Sequence, residues 1–69
     1  MTVAKNTEIT ARSPESFDHA MEQGIARFEE SVHNVKSAWI KEQKVRCSDS
    51  GGIEEYHVTL KVTFVLDNP

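Results

Sequence analysis

Sixty-nine residues, 38% of them hydrophobic and 28% charged, with a net charge of −3, bound what this chain can be. One domain of that length buries only about 60% of its unfolded surface, so it normally needs disulfides, a metal or self-association. Cys47 is the only cysteine, which rules out an intrachain disulfide, and no Cys/His pair has zinc-site spacing, so oligomerisation is the remaining remedy. Acids and bases are mixed along the chain, without the basic stripe that nucleic-acid binding requires. No apolar run approaches the ~18 residues of a membrane span. Met1–Asn6 has no signal-peptide core, so a cytoplasmic setting is expected for the single domain 1–69.

In chain order, Thr2–Thr10 reads as a strand. Val3, Lys5, Thr7, Ile9 and Ala11 share one face, and the thin apolar content suits a sheet edge. Ser13-Pro14 predicts a helix start, with Ser13 as N-cap, Pro14 in the first helical position and Glu15 in the first turn. Phe17, Ala20, Met21, Gly24, Ile25, Phe28 and Val32 then recur at helical spacing as one apolar stripe. Gly24 inside that stripe costs roughly 1 kcal/mol against Ala, which close approach of helix and sheet would offset. Asn34 can end the helix, because Asn tolerates the left-handed conformation.

Ser37–Ser48 reads as a second strand. Ala38 and Ile40 are expected toward the helix; Ser37, Trp39, Lys41 and Gln43 are expected on the opposite face. Ser48-Asp49-Ser50-Gly51-Gly52 is a turn that makes a hairpin with the last strand, Glu54–Leu66. In that strand Tyr56, Val58, Leu60, Val62, Phe64 and Leu66 alternate with His57, Thr59, Lys61, Thr63 and Val65. The unbroken apolar face marks it as the sheet's centre, and a binding site is expected on its other, polar face. The fold class is therefore α+β. The order is β-α-β-β, with a three-stranded antiparallel sheet in the order 1-3-2 curled round one helix. Strands of about 40 Å outrun a domain of this size, so they must curl or overhang, and overhanging edges recruit other chains.

These residues are similar to those of the dodecin family. The resemblance runs from the first strand to Leu66. It is carried best by Tyr56-His57-Val58-Thr59-Leu60-Lys61-Val62-Thr63-Phe64, together with Ser13-Pro14, the helix and Asn34-Val35. It implies a hollow homododecamer that binds flavin (riboflavin, FMN or FAD) without a covalent link, on the sheet face away from the helix, for storage. In flavin-binding members a Trp near the start of the second strand stacks on the ring, and a Gln on the third strand bonds its polar edge. Here those positions fall on Ser37 and His57, with Trp39 two residues beyond on the same face.

Ser37, Trp39 and His57 are therefore the candidate cofactor-binding residues. The run Ser37–Gln43 looks closer to the branch that lacks the stacking Trp and is described as calcium-binding. That leaves an alternative: a dodecin-like shell that has lost flavin and is structural, or holds another ligand or a divalent cation.

Each candidate has a plainer reading. Trp39 also suits an interface or core aromatic, and His57 a surface or lumen histidine. His19 and His33 read as solvated, without a role. Asp49, Glu54 and Glu55 offer oxygen ligands of the kind calcium takes, but without EF-hand spacing, so they read as solvated turn charges. Cys47 has no catalytic motif around it. No Ser/His/Asp set or phosphate loop stands out, so no enzyme is expected.

Overall fold

The computed structural model describes residues 3–66. Strand β1 is Val3–Ser13, helix α1 is Phe17–Glu29, strand β2 is Val35–Cys47 and strand β3 is Ile53–Leu66. The sheet order is β1-β3-β2 and both pairings are antiparallel. Thr2, the expected start of the first strand, lies outside the described residues.

The middle position of β3 follows from its apolar face. Val58, Leu60 and Val62 are at most 1% exposed and enclose the core with Ala20 of α1. Ile9 and Ala11 of β1 lie opposite Leu60 and Val58 on the same face. Phe17 meets Tyr56 edge-on at 5.0 Å between ring centroids, and Phe28 meets Phe64 at 5.9 Å, one pair toward each end of the helix. Such edge contacts add ~0.5–1.5 kcal/mol to plain burial.

Gly24 lets helix and sheet approach closely. A Cβ there would lie 2.8 Å from the Cβ of Ala11 and within 3.8 Å of Ile9 and Leu60. Gly24→Ala should gain about 1 kcal/mol of helix propensity but lose about 1–3 kcal/mol to overpacking. The expected net is a lower urea midpoint, partly restored by adding Ala11→Gly. A midpoint above wild type would show that the sheet yields freely here.

The helix start differs from the sequence expectation. Ser16, not Ser13, is the N-cap: its Oγ accepts the His19 N–H at 2.9 Å, and Asp18 is the acid of the first turn. Ser13 is instead the last residue of β1, paired with Tyr56 and 1% exposed. Pro14 lacks the N–H that would extend the ladder, and Glu15 precedes the cap. The helix ends at Glu29, so Val32 lies beyond it. Asn34 does adopt positive φ (64°), in the loop that leads into β2.

Strand β2 carries register shifts between Val35 and Ser37, between Ile40 and Glu42, and between Arg46 and Cys47. Each extra residue exchanges the faces of the strand residues beyond it. Ala38 and Ile40 pair with Val62 and Leu60 and face the helix side, as expected. After the shift at Lys41, however, Gln43 lies opposite Val58, on the helix side, while Glu42 and Lys44 join the outer face. The placement of Gln43 beside Trp39 is thereby corrected.

Helix α1 packs on β1 and β3 and leaves β2 largely uncovered. Its 13 residues span about 20 Å, whereas β3 runs for about 48 Å. The molecule accordingly measures 55 × 19 × 13 Å, with a radius of gyration of 14.4 Å. The hairpin overhangs and ends in a turn where Gly51 and Gly52 take φ of 93° and 88°. A side chain at either position would strain that turn.

Candidate ligand-binding face

The outer face of the sheet carries Asn6, Glu8, Thr10 and Arg12 from β1, and His57, Thr59, Lys61 and Thr63 from β3. Ser37, Trp39, Glu42 and Lys44 complete it from β2. Period-two alternation puts them there, because their neighbours are committed to the core. Trp39 stands half-exposed on this polar surface, at 48%. It pairs with Lys61 across the ladder, and the Lys61 Nζ lies 5.8 Å from the centre of its ring. Ser37 is exposed, opposite Thr63, about 7 Å along the strand from Trp39.

His57 is not beside them. It lies four residues from Lys61 on β3, about 14 Å away, between Arg12 and Lys44. The structure thus brings Ser37 and Trp39 together and leaves His57 separate within one protomer. His57 also has a partner: its Nε2 lies 2.8 Å from Glu55 Oε1. A carboxylate only accepts, so this nitrogen carries the hydrogen, and a neutral ring keeps only Nδ1, as an acceptor. That differs from a Gln amide, which offers a donor and an acceptor side by side.

Two carboxylates on this face are held in the charged form. Lys41 Nζ donates to Glu8 Oε2 at 2.9 Å across the middle strand, and this bond, with the charges of Lys41 and Lys61, pulls Glu8 below its ordinary 4.5. The hydrogen bond from His57 is the main cause that lowers Glu55, aided by Arg46, His57 and Arg12. Both groups bind protons less readily when folded. Their stabilisation is present above the unfolded pKa and is lost as pH falls through the folded one. Glu8→Gln should therefore flatten the acid limb of a thermal-stability profile between about pH 3 and pH 5: the variant is the less stable at pH 8, and the two proteins converge at the acid end of that window. An unchanged limb would mean that the Lys41 bond does not persist in solution.

Of the hairpin acids, Glu54 and Glu55 also find a partner within the chain. Arg46 contacts Glu54 at 3.2 Å and Glu55 at 3.6 Å. Among the described residues no three His, Cys, Asp or Glu side chains group closely enough to hold a metal ion.

One constellation escaped the sequence reading. His19, expected to be solvated, has its Nδ1 2.6 Å from Ser13 Oγ and its Nε2 3.3 Å from Glu15 Oε2. Ser13 Oγ also accepts the Glu15 N–H at 3.0 Å. Serine, histidine and glutamate are thus in one chain, but the hydroxyl is sealed in the core and already takes a backbone bond. The arrangement braces the turn from β1 into α1. Spacings of two and four residues around Ser13 and Glu15 were the available signal. An open groove of about 560 Å³ between β1 and α1, lined by Ile9, Gly24, Arg27 and Phe28 among others, lies on the helix side, away from Trp39.

A three-stranded β-α-β-β sheet with one helix-covered face and one polar face bearing an exposed ring defines a fold class, and comparison with known proteins assigns it. The family model Dodecin matches residues 3–67, and the chain belongs to the dodecin family. A dodecin from Streptomyces davaonensis is 33% identical over 97% of each chain, with a TM-score of 0.90. A mutant of the T. thermophilus dodecin is 26% identical over 99% of this chain and all of that one, at 0.91. The calcium dodecin of Mycobacterium tuberculosis, described as a calcium-chelating antigen with a novel calcium-binding site, is 29% identical over 97% of each chain, at 0.82. No curated protein matches the chain. No helix among the described residues is long and apolar enough to cross a membrane.

Proposed function

We propose that this chain assembles as a hollow homododecamer in the cytoplasm and holds flavin non-covalently, storing it rather than turning it over. The observation that carries the reading is Trp39: an indole ring, 48% exposed, on the polar sheet face of a dodecin. Ser37 supplies no ring, so Trp39 is the displaced platform and Ser37 and Thr63 line the space beside it. His57, about 14 Å along the strand, reaches the same flavin only from a neighbouring protomer. Its bond to Glu55 leaves it one acceptor where the family has an amide.

Self-assembly is supported by the helix-side face of β2. Ile40 and Val45 point to that side at 42% and 37% exposure, with no helix over them. A second copy covering them would bury two of the exposed large apolar side chains of the protomer. Sedimentation as a monomer at micromolar concentration would sink this part.

The test of the ligand is a riboflavin fluorescence titration of the purified assembly. Stoichiometric quenching supports the flavin reading. No quenching at tens of micromolar favours the second reading, a dodecin-type shell that is structural or takes another ligand or a divalent cation such as calcium. The observations that favour that second reading are the missing ring at Ser37 and the engagement of His57 by Glu55.

A further inference from the structure

Lys61 has no ion pair of its own among the described residues. Glu8 lies directly opposite it in the β1–β3 ladder, but the Glu8 carboxylate is taken by Lys41 at 2.9 Å. The Lys61 ammonium is placed instead over the Trp39 ring, 5.8 Å from its centre, within the range of a cation–π contact. Were the ring two residues earlier, at Ser37, it would lie opposite Thr63, which donates to Asn6 and carries no charge. The pairing of ring and cation is therefore a consequence of where this chain has its tryptophan.

We infer that Lys61 is the specificity-determining residue of the Trp39 site, occupying the indole ring until a ligand displaces it and favouring ligands that bring an anion. The inference rests on the flavin reading above. A neutral planar ligand that stacks on Trp39 must break the cation–π contact and return the ammonium to water. A ligand of the same ring system with a phosphate offers the displaced ammonium a new partner, and a phosphate forms a strong charge-assisted bond with lysine. Lys61 thus acts against uncharged rings and for anionic ones. Lys41 cannot take over this role while it is engaged by Glu8.

The probes are riboflavin, which is neutral, and flavin mononucleotide, which has the same ring and a phosphate. Lys61→Met keeps the half-buried aliphatic stem and removes the charge. Riboflavin should bind this variant about two- to fivefold tighter than wild type, the equivalent of one exposed cation–π contact. Flavin mononucleotide should gain nothing or bind more weakly, so the two ligands respond differently. The shift should vanish in a Trp39→Ala background, and thermal stability serves as the control for folding.

If both flavins bind wild type and change equally in Lys61→Met, or riboflavin weakens, the inference is overturned while the flavin reading stands. If neither flavin binds wild type or variant, the flavin reading falls and this inference with it. A purely structural Lys61 would move both ligands together.

Discussion

Leu60→Asp should abolish folding of the protomer, leaving no cooperative thermal transition and no soluble assembly. Leu60 is 0% exposed at the midpoint of β3, with Ile9 and Ile40 opposite it on the two flanking strands and its Cδ1 3.8 Å from where a Cβ on Gly24 would lie. It is the residue at which all four elements converge. A carboxylate placed there has no cation within the core, and burying an unpaired charge costs far more than the few kcal/mol by which a small domain is stable. The milder Leu60→Ala should cost about 2–5 kcal/mol, read as a drop in the denaturant midpoint. An intact Leu60→Asp assembly would mean that β3 is not the central strand in solution.

Trp39→Ala should weaken riboflavin binding about ten- to a hundredfold, the loss expected for one stacking contact of ~1–3 kcal/mol. Assembly and thermal stability should change little, because Trp39 takes no part in the core cluster. The measurement separates two uses of an exposed ring. If Trp39 were an interface aromatic and not a ligand platform, the variant would shift the sedimentation profile and leave the protomer's riboflavin affinity alone. Ser37→Trp is the complementary change. It places a ring where the resemblance puts the family's stacking tryptophan, and it should tighten riboflavin binding if that space is open between protomers.

The first of these expectations began as a pattern of residue type, the second as a family resemblance. The alternation from Tyr56 to Leu66 was enough to make β3 the centre, since only a strand covered on one face and flanked on both edges keeps such a face dry. The stripe from Phe17 to Phe28 gave the helix, and Gly51-Gly52 the hairpin. These are local periodicities, and the side-chain sequence alone carries them.

Other features were not legible because they depend on contacts between segments. Ser13 and Ser16 are equally good caps by residue type. The ladder to Tyr56 claimed Ser13 for β1 and left Ser16 to cap α1. Gln43 was expected on the outer face because alternation assumes an unbroken strand. A bulge has no reliable mark in sequence, and the one at Lys41 moved Gln43 to the helix side. His19 found Ser13 and Glu15 only once the chain had turned from strand to helix.

The sequence by itself determined the element order, the central strand and the family resemblance, because these are properties of consecutive residues. Only the tertiary structure decided that Trp39 stands over Lys61, that Lys41 takes Glu8, and that His57 is bound to Glu55 and lies about 14 Å from the ring. Those are matters of cross-strand register, bulge position and side-chain packing, set by how the two ladders on β3 align.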